Sequence, residues 1–130
     1  MTDPACNLPA VLAEVTAAFE RYERALVGND IAELDALFHA APSTVRYGAT
    51  ENLVGIDAIR AFRAARSPAG LARTLHNTVI TSWGSDFAVA STEFRRAGDA
   101  RIGRQQQTWV RFADGWKVVA AQVSWLAPPA

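Results

Sequence analysis

The chain runs to 130 residues, half of them hydrophobic and a fifth charged, with 13 basic residues set against 13 acidic ones. That length suits one domain with a single core, and the composition is neither disordered nor fibrous. The even charge balance, with no cluster of Lys and Arg among aromatics, argues against a nucleic-acid partner, and no apolar run approaches the roughly 18–20 residues that span a bilayer, so no membrane association is expected.

The opening residues, "MTDPACNLPA", lack the basic and apolar regions of a secretory signal. Residues 1–7 are expected to form a flexible tail and residues 8–130 a single cytoplasmic domain. Cys6 is the only cysteine, which excludes an intramolecular disulfide. A metal site would have to be assembled from two histidines and carboxylates, and no cofactor is expected.

From Val11 to Leu26, apolar Val11, Val15, Phe19, Tyr22 and Leu26 recur at spacings of three and four, the pattern of an amphipathic helix. Gly28 is a natural stop, and Asp30 with Glu33 reads as an N-cap and its box partner for a short second helix. Pro42 ends that stretch. Thr44 to Tyr47 predicts a short strand, followed by a loop through Gly48 and Asn52. Gly55 opens a third helix with Ile56, Ile59 and Phe62 on one face and Arg60, Arg63 and Arg66 nearby. Ser67, Pro68 and Gly70 break it.

The second half changes period. "RTLHNTVITSW", "FAVASTEFRR", "RIGRQQQTWVRF" and "WKVVAAQVSWL" are rich in β-branched and aromatic residues. Gly84-Ser85-Asp86, Gly98-Asp99 and Asp114-Gly115 separate them as turns. Four strands in a meander behind three helices predict an α+β fold, with the helices packed on a curved antiparallel sheet that closes into a cone. One short chain has too few helices to cover both sheet faces. A homodimer is therefore expected, with Trp83, Trp109 or Trp125 on the outer face.

The inside of such a cone is a ready pocket. Tyr22 shares the helix face of Phe19 and Leu26, and serves either as a core aromatic or as a hydroxyl on the pocket wall. Arg46, in "STVRYGATENLVG", points opposite to Val45 and Tyr47 by strand alternation. It is a solvated edge charge, or, if its neighbours face away from the cavity, a planar clamp for a carboxylate. His76 reads as a structural histidine or a ligand contact. Gln105 and Gln107 share a face with Trp109, while Gln122 and Ser124 share a face of the last strand; either pair lines the pocket or meets solvent. No phosphate loop, zinc-spaced cluster or nucleophile elbow is present.

With "FERYERAL", "TVRYGATENLVG", "IRAFRAAR", "GRQQQTWVRF" and "GWKVVAAQVSWL" in this order, nearly the whole chain resembles the AtzH/HpxZ-like group of the NTF2-like (SnoaL-like) superfamily, whose fold is a cone-shaped α+β barrel. The resemblance implies a role in nitrogen-compound catabolism beside amidase-signature hydrolases. It implies an amidase that turns 1,3-dicarboxyurea into allophanate during cyanuric acid breakdown. The group's catalytic tyrosine and arginine match Tyr22 and Arg46 here. His76, Gln107, Gln122 and Ser124 are then the expected substrate contacts, although the group usually has His where "AAQVS" has Gln122.

On these grounds a small cofactor-free amidohydrolase acting on an anionic ureide is expected, with Arg46 holding a carboxylate and Tyr22 as general acid or base. A different enzyme on the same cone would need an inward carboxylate or histidine as base, and the acidic residues fall mainly in turns and on polar helix faces. A non-catalytic binder of an anionic ligand, or a subunit that docks onto an amidase, is the remaining reading.

Overall fold

The computed structural model describes residues 1–128. In it helix α1 covers Pro9–Val27, begins with proline in its first turn, and buries Val11, Val15, Phe19, Tyr22 and Leu26. Gly28 ends the helix, its N–H donating to the Arg24 carbonyl. Helix α2 (Ile31–Ala36) is capped by Asp30, whose carboxylate accepts the Glu33 N–H at 3.1 Å. Helix α3 spans Ile56–Ala65 and starts at Gly55, whose φ of 90° few other residues adopt.

Six strands follow the sequence order β1 (Val45–Tyr47), β2 (Asn52–Val54), β3 (Thr74–Trp83), β4 (Phe87–Arg95), β5 (Ile102–Phe112) and β6 (Gly115–Leu126). They form one sheet in the order β2-β1-β6-β5-β4-β3. The four long strands make the expected meander, and β1 runs parallel to β6. Strand β2 corrects the loop expected there. The chain turns at Gly48, whose N–H donates to the Glu51 carbonyl, and returns with Leu53 opposite Arg46. Three residues are too few to display a period of two, which is why the sequence pattern hid this strand.

Two register shifts bend the sheet, one between His76 and Val79 on β3 and one at Thr108/Trp109 opposite β6. The curved inner face carries Ala88, Ala90, Thr92 and Phe94 from β4, Gln105, Gln107 and Trp109 from β5, and Trp116, Val118 and Ala121 from β6, all buried. The result is an unclosed α+β cone with helices over its concave side. Gly103 is required on β5, because a Cβ there would lie 2.2 Å from the Phe94 ring. Its bare backbone lets that ring meet Trp125 edge-on with centroids 5.0 Å apart.

One expectation needs correction. Trp109 is fully buried on the inner face and Trp125 packs against Phe94. Of the three tryptophans assigned to the outer face, Trp83 alone keeps an exposed ring surface, at 43%. Ahead of α1, Cys6 pairs with Trp83 as an isolated β-bridge, and the Asn7 N–H donates to the Ser82 carbonyl at 2.9 Å. The open edge of β3 offers unpaired backbone groups, and residues 5–7 satisfy some of them. Residues 129 and 130, the end of the expected domain, lie outside the described residues.

Candidate functional site

Arg46 sits mid-strand on β1, opposite Leu53 on one side and buried Ala121 on the other. Alternation turns Val45 and Tyr47 outward and sends the guanidinium into the cone. Its side chain is only 12% exposed, donates from Nη1 to Glu51 Oε1 at 2.9 Å, and lies 5.5 Å from the centre of the Phe62 ring. Thr50 Oγ1 donates to the other Glu51 oxygen at 2.6 Å. Burial alone would raise the Glu51 pKa, but the hydrogen bonds from Thr50 and Arg46 together hold it below the ordinary carboxylate value. Glu51 is thus an ionised carboxylate at the rim of the cavity, in the turn between β1 and β2 that local pattern reads as a loop.

A cavity of about 210 Å³ opens here, walled by Arg46, Glu51, Phe62, Arg66, Arg96, Val123 and Trp125 among others. Tyr22, 4% exposed, has its ring 6.1 Å from that of Phe38 and is not among the residues that wall this cavity. Arg63 lies over the same Phe38 ring at 4.1 Å and donates to Asp35 Oδ1 at 3.0 Å. Burial lowers the pKa of both Arg63 and Arg66; the Tyr22 oxygen acts in the opposite sense on both, and the Arg46 charge adds to the lowering. Tyr22, Arg46, Arg63 and Arg66 therefore share one electrostatic neighbourhood.

Helix α1 is fixed over this site by Arg73, itself 2% exposed. Its Nε and Nη2 donate to the two oxygens of Glu23, the residue after Tyr22, at 3.0 and 2.7 Å, and Nη2 also donates to Gln105 Oε1 at 2.9 Å. Such a two-pronged guanidinium–carboxylate contact fixes orientation as well as distance.

Gln107 is fully buried on the same sheet face. It lies opposite Ala121, which in turn lies opposite Arg46, so the two residues stand two strands apart, roughly 9–10 Å. Neither Gln107 nor Ala121 is among the residues that wall the Arg46 cavity. Trp109 Nε1 donates to Gln107 Oε1 at 3.2 Å. Because the partners of Gln105 and Gln107 are themselves donors, each amide must turn its oxygen to that partner and its NH₂ the other way. Those NH₂ groups, with Arg63 Nη2, Arg66 Nε and Nη2, and Arg96 Nε, are buried without an acceptor. Of these donors, those of Arg66 and Arg96 belong to the cavity that Arg46 walls.

The other expected contacts lie apart. With Ala121, Val123 and Trp125 turned inward, alternation places Gln122 and Ser124 on the outer face of β6, where both line a groove of about 420 Å³ with Asn77, Ser91, Glu93 and Arg104. His76 is exposed opposite Glu93, its Nε2 3.0 Å from Thr74 Oγ1. The sheet therefore separates His76, Gln122 and Ser124 from Tyr22, Arg46 and Gln107. Arg63 could have been found from the sequence, since Ile56, Ile59 and Arg63 lie three and four apart on one helix face. Arg66, three residues on from Arg63, continues that spacing, while Arg96 carries no such local signal. Among the described residues no group of three or more His, Cys, Asp or Glu could hold a metal ion, and no helix is long and apolar enough to cross a membrane.

A family model described as AtzH-like matches residues 4–129. A solved structure from Pectobacterium atrosepticum, of unknown function and assigned to the DUF3225 family, is 62% identical with a TM-score of 0.93, covering 94% of this chain and 95% of its own. A cystatin-like fold protein from Burkholderia xenovorans is 52% identical at a TM-score of 0.93, covering 97% and 99%. An NTF2-like protein from Pseudomonas putida, also of unknown function, is 20% identical at a TM-score of 0.71, covering 88% and 86%, a likeness of fold alone. Comparison with curated proteins finds no match.

Proposed function

The chain belongs to the AtzH-like family, and on that premise we propose that it is a cofactor-free amidohydrolase acting on a small carboxylated urea, with 1,3-dicarboxyurea and its conversion to allophanate as the leading case. The observation that carries this reading is Arg46: a guanidinium turned into a cavity of about 210 Å³, beside buried donors that lack acceptors. Such a lining suits a small, flat, oxygen-rich anion.

Dicarboxyurea and allophanate differ by one carboxylate. The bond that breaks joins that terminal carbon to its nitrogen. Water adds across it, oxygen to carbon and proton to nitrogen, so the dianion and water yield the allophanate anion and bicarbonate, with atoms and charge balanced. Arg46 holds a substrate carboxylate and faces negative charge growing on the attacked group, a stabilisation that is strong where water is excluded. Tyr22 serves as the acid that delivers the proton to the leaving nitrogen. Gln107 offers its NH₂ to a substrate oxygen. The alternative is a cone that holds the same anion without consuming it, either alone or docked on an amidase-signature hydrolase. Pairing of two copies through the outer sheet face accompanies either reading.

Release of bicarbonate from 1,3-dicarboxyurea by the purified protein, followed by ¹³C NMR, tests the proposal. Binding of the compound without release supports the alternative, and neither binding nor release overturns both.

A further inference from the structure

Four guanidinium groups crowd this end of the cone with Arg46, and they are not treated alike. Arg46 has Glu51, Arg63 has Asp35, and Arg73 has Glu23. Arg66 and Arg96 also wall the cavity, yet Arg66 Nε and Nη2 and Arg96 Nε are buried with no acceptor. Asp99 pulls on Arg96 from a distance but has both its oxygens bound by Arg101. Three arginines and one carboxylate thus line a single small cavity, an arrangement that repels itself and that an anion would relieve.

One of the two groups is also held in place. The Arg66 backbone caps the end of α3, and the Arg96 guanidinium lies 5.5 Å from the Phe94 ring centre and 5.3 Å from that of Trp125. Aromatic faces orient a guanidinium while leaving its N–H edge free for an anion. Burial lowers the pKa of both arginines, with Arg46 adding to the effect on Arg66 and Arg73 to that on Arg96.

We propose that Arg66 and Arg96 form a second anion clamp in the cavity that Arg46 shares, so that the site selects small molecules carrying two carboxylates over those carrying one. This rests on the reading of the cavity as the substrate site. One carboxylate displaces Glu51 from Arg46 or shares the guanidinium with it, and the other takes the free N–H groups of Arg66 and Arg96. A ligand with one charge satisfies half of the site and leaves the second pair of cations facing each other.

Isothermal titration of the purified protein at low ionic strength, with malonate and succinate against acetate and propionate, tests this. The expected result is a dicarboxylate preference of at least about tenfold. Arg66→Gln and Arg96→Gln should each weaken dicarboxylate binding by about 10- to 100-fold, the range for a lost charged hydrogen bond. Arg46→Gln should weaken both classes. Thermal melts add a signature that a purely structural arginine would not produce: without ligand, Arg66→Gln should melt at or above the wild-type temperature, because one of three like charges that line the cavity has been removed. Arg96→Lys keeps a charge beside Trp125 but lacks the two-pronged edge, and should show the same loss if Arg96→Gln melts early. Wild-type dicarboxylate affinity in the folded Arg66 and Arg96 variants, with loss only in Arg46→Gln, overturns the second clamp and leaves the cavity reading standing. Equal affinity for mono- and dicarboxylates overturns the clamp too, and no carboxylate binding by the wild type overturns clamp and cavity reading together.

Discussion

Replacing Arg46 by lysine or by alanine separates geometry from charge at the centre of the proposed site. Arginine offers a substrate carboxylate two parallel N–H donors, whereas lysine offers one rotating ammonium on a shorter reach. A charged hydrogen bond contributes about 1.5–3 kcal/mol, so losing two costs about 3–6 kcal/mol. If both are made in the transition state, kcat/KM falls by roughly 10²–10⁴-fold. Arg46→Lys should therefore fail almost as badly as Arg46→Ala. Stability should respond far less. The Arg46 and Glu51 side chains are 12% and 20% exposed and joined by a single hydrogen bond at 2.9 Å, at the rim of the cavity where solvent screens them. An ion pair of that kind is worth about 1 kcal/mol, a few degrees in a thermal melt. The assay is bicarbonate release from 1,3-dicarboxyurea alongside melts of all three proteins. Wild-type turnover in Arg46→Lys would refute the two-pronged clamp. A collapse of the melting temperature in both variants would make Arg46 a structural residue instead.

Tyr22→Phe keeps the ring packed against Phe38 and removes the hydroxyl alone, so turnover should fall by roughly 10²–10⁴-fold with the melt little changed. Glu51, whose pKa is held down in the fold, supports stability above its unfolded pKa near 4.5 and loses that support as pH falls through its lower folded value. Melts between about pH 5 and 3 should drop more steeply for the wild type than for Glu51→Gln. Gln122→His, on the outer face of β6, should leave kcat and KM within about twofold, and a large change in either would bring that face into the reaction. Dialysis against EDTA should leave turnover intact, because a catalytic zinc normally needs three protein ligands; activity lost and then restored by one metal ion would contradict the cofactor-free reading.

Helices α1, α2 and α3 and the four long strands were legible because each is long enough to display its own period or is bounded by a cap or turn residue. Asp30 with Glu33 marked α2, and Asp114-Gly115 marked the β5–β6 turn. The same local rule showed that Arg46 opposes Val45 and Tyr47, and that Gln107 shares a face with Trp109. Local pattern states which residues lie together on a face, but not which face the helices cover. For Trp109, Trp125, Gln122 and Ser124 that choice belongs to the tertiary structure. The register shift at Thr108/Trp109 leaves Val119 without an opposite residue and resets the alternation along β6, turning Ala121, Val123 and Trp125 inward and Gln122 and Ser124 outward. Glu51 and Arg96 were beyond reach for a related reason. They sit in a tight turn and just past a strand, where no period exists, and they meet Arg66 only because the bent sheet and the end of α3 bring segments up to 45 residues apart to one cavity. The residues available to the chemistry were thus set by sequence, while their convergence was decided by curvature and register, which depend on contacts between distant segments rather than on neighbours in the chain.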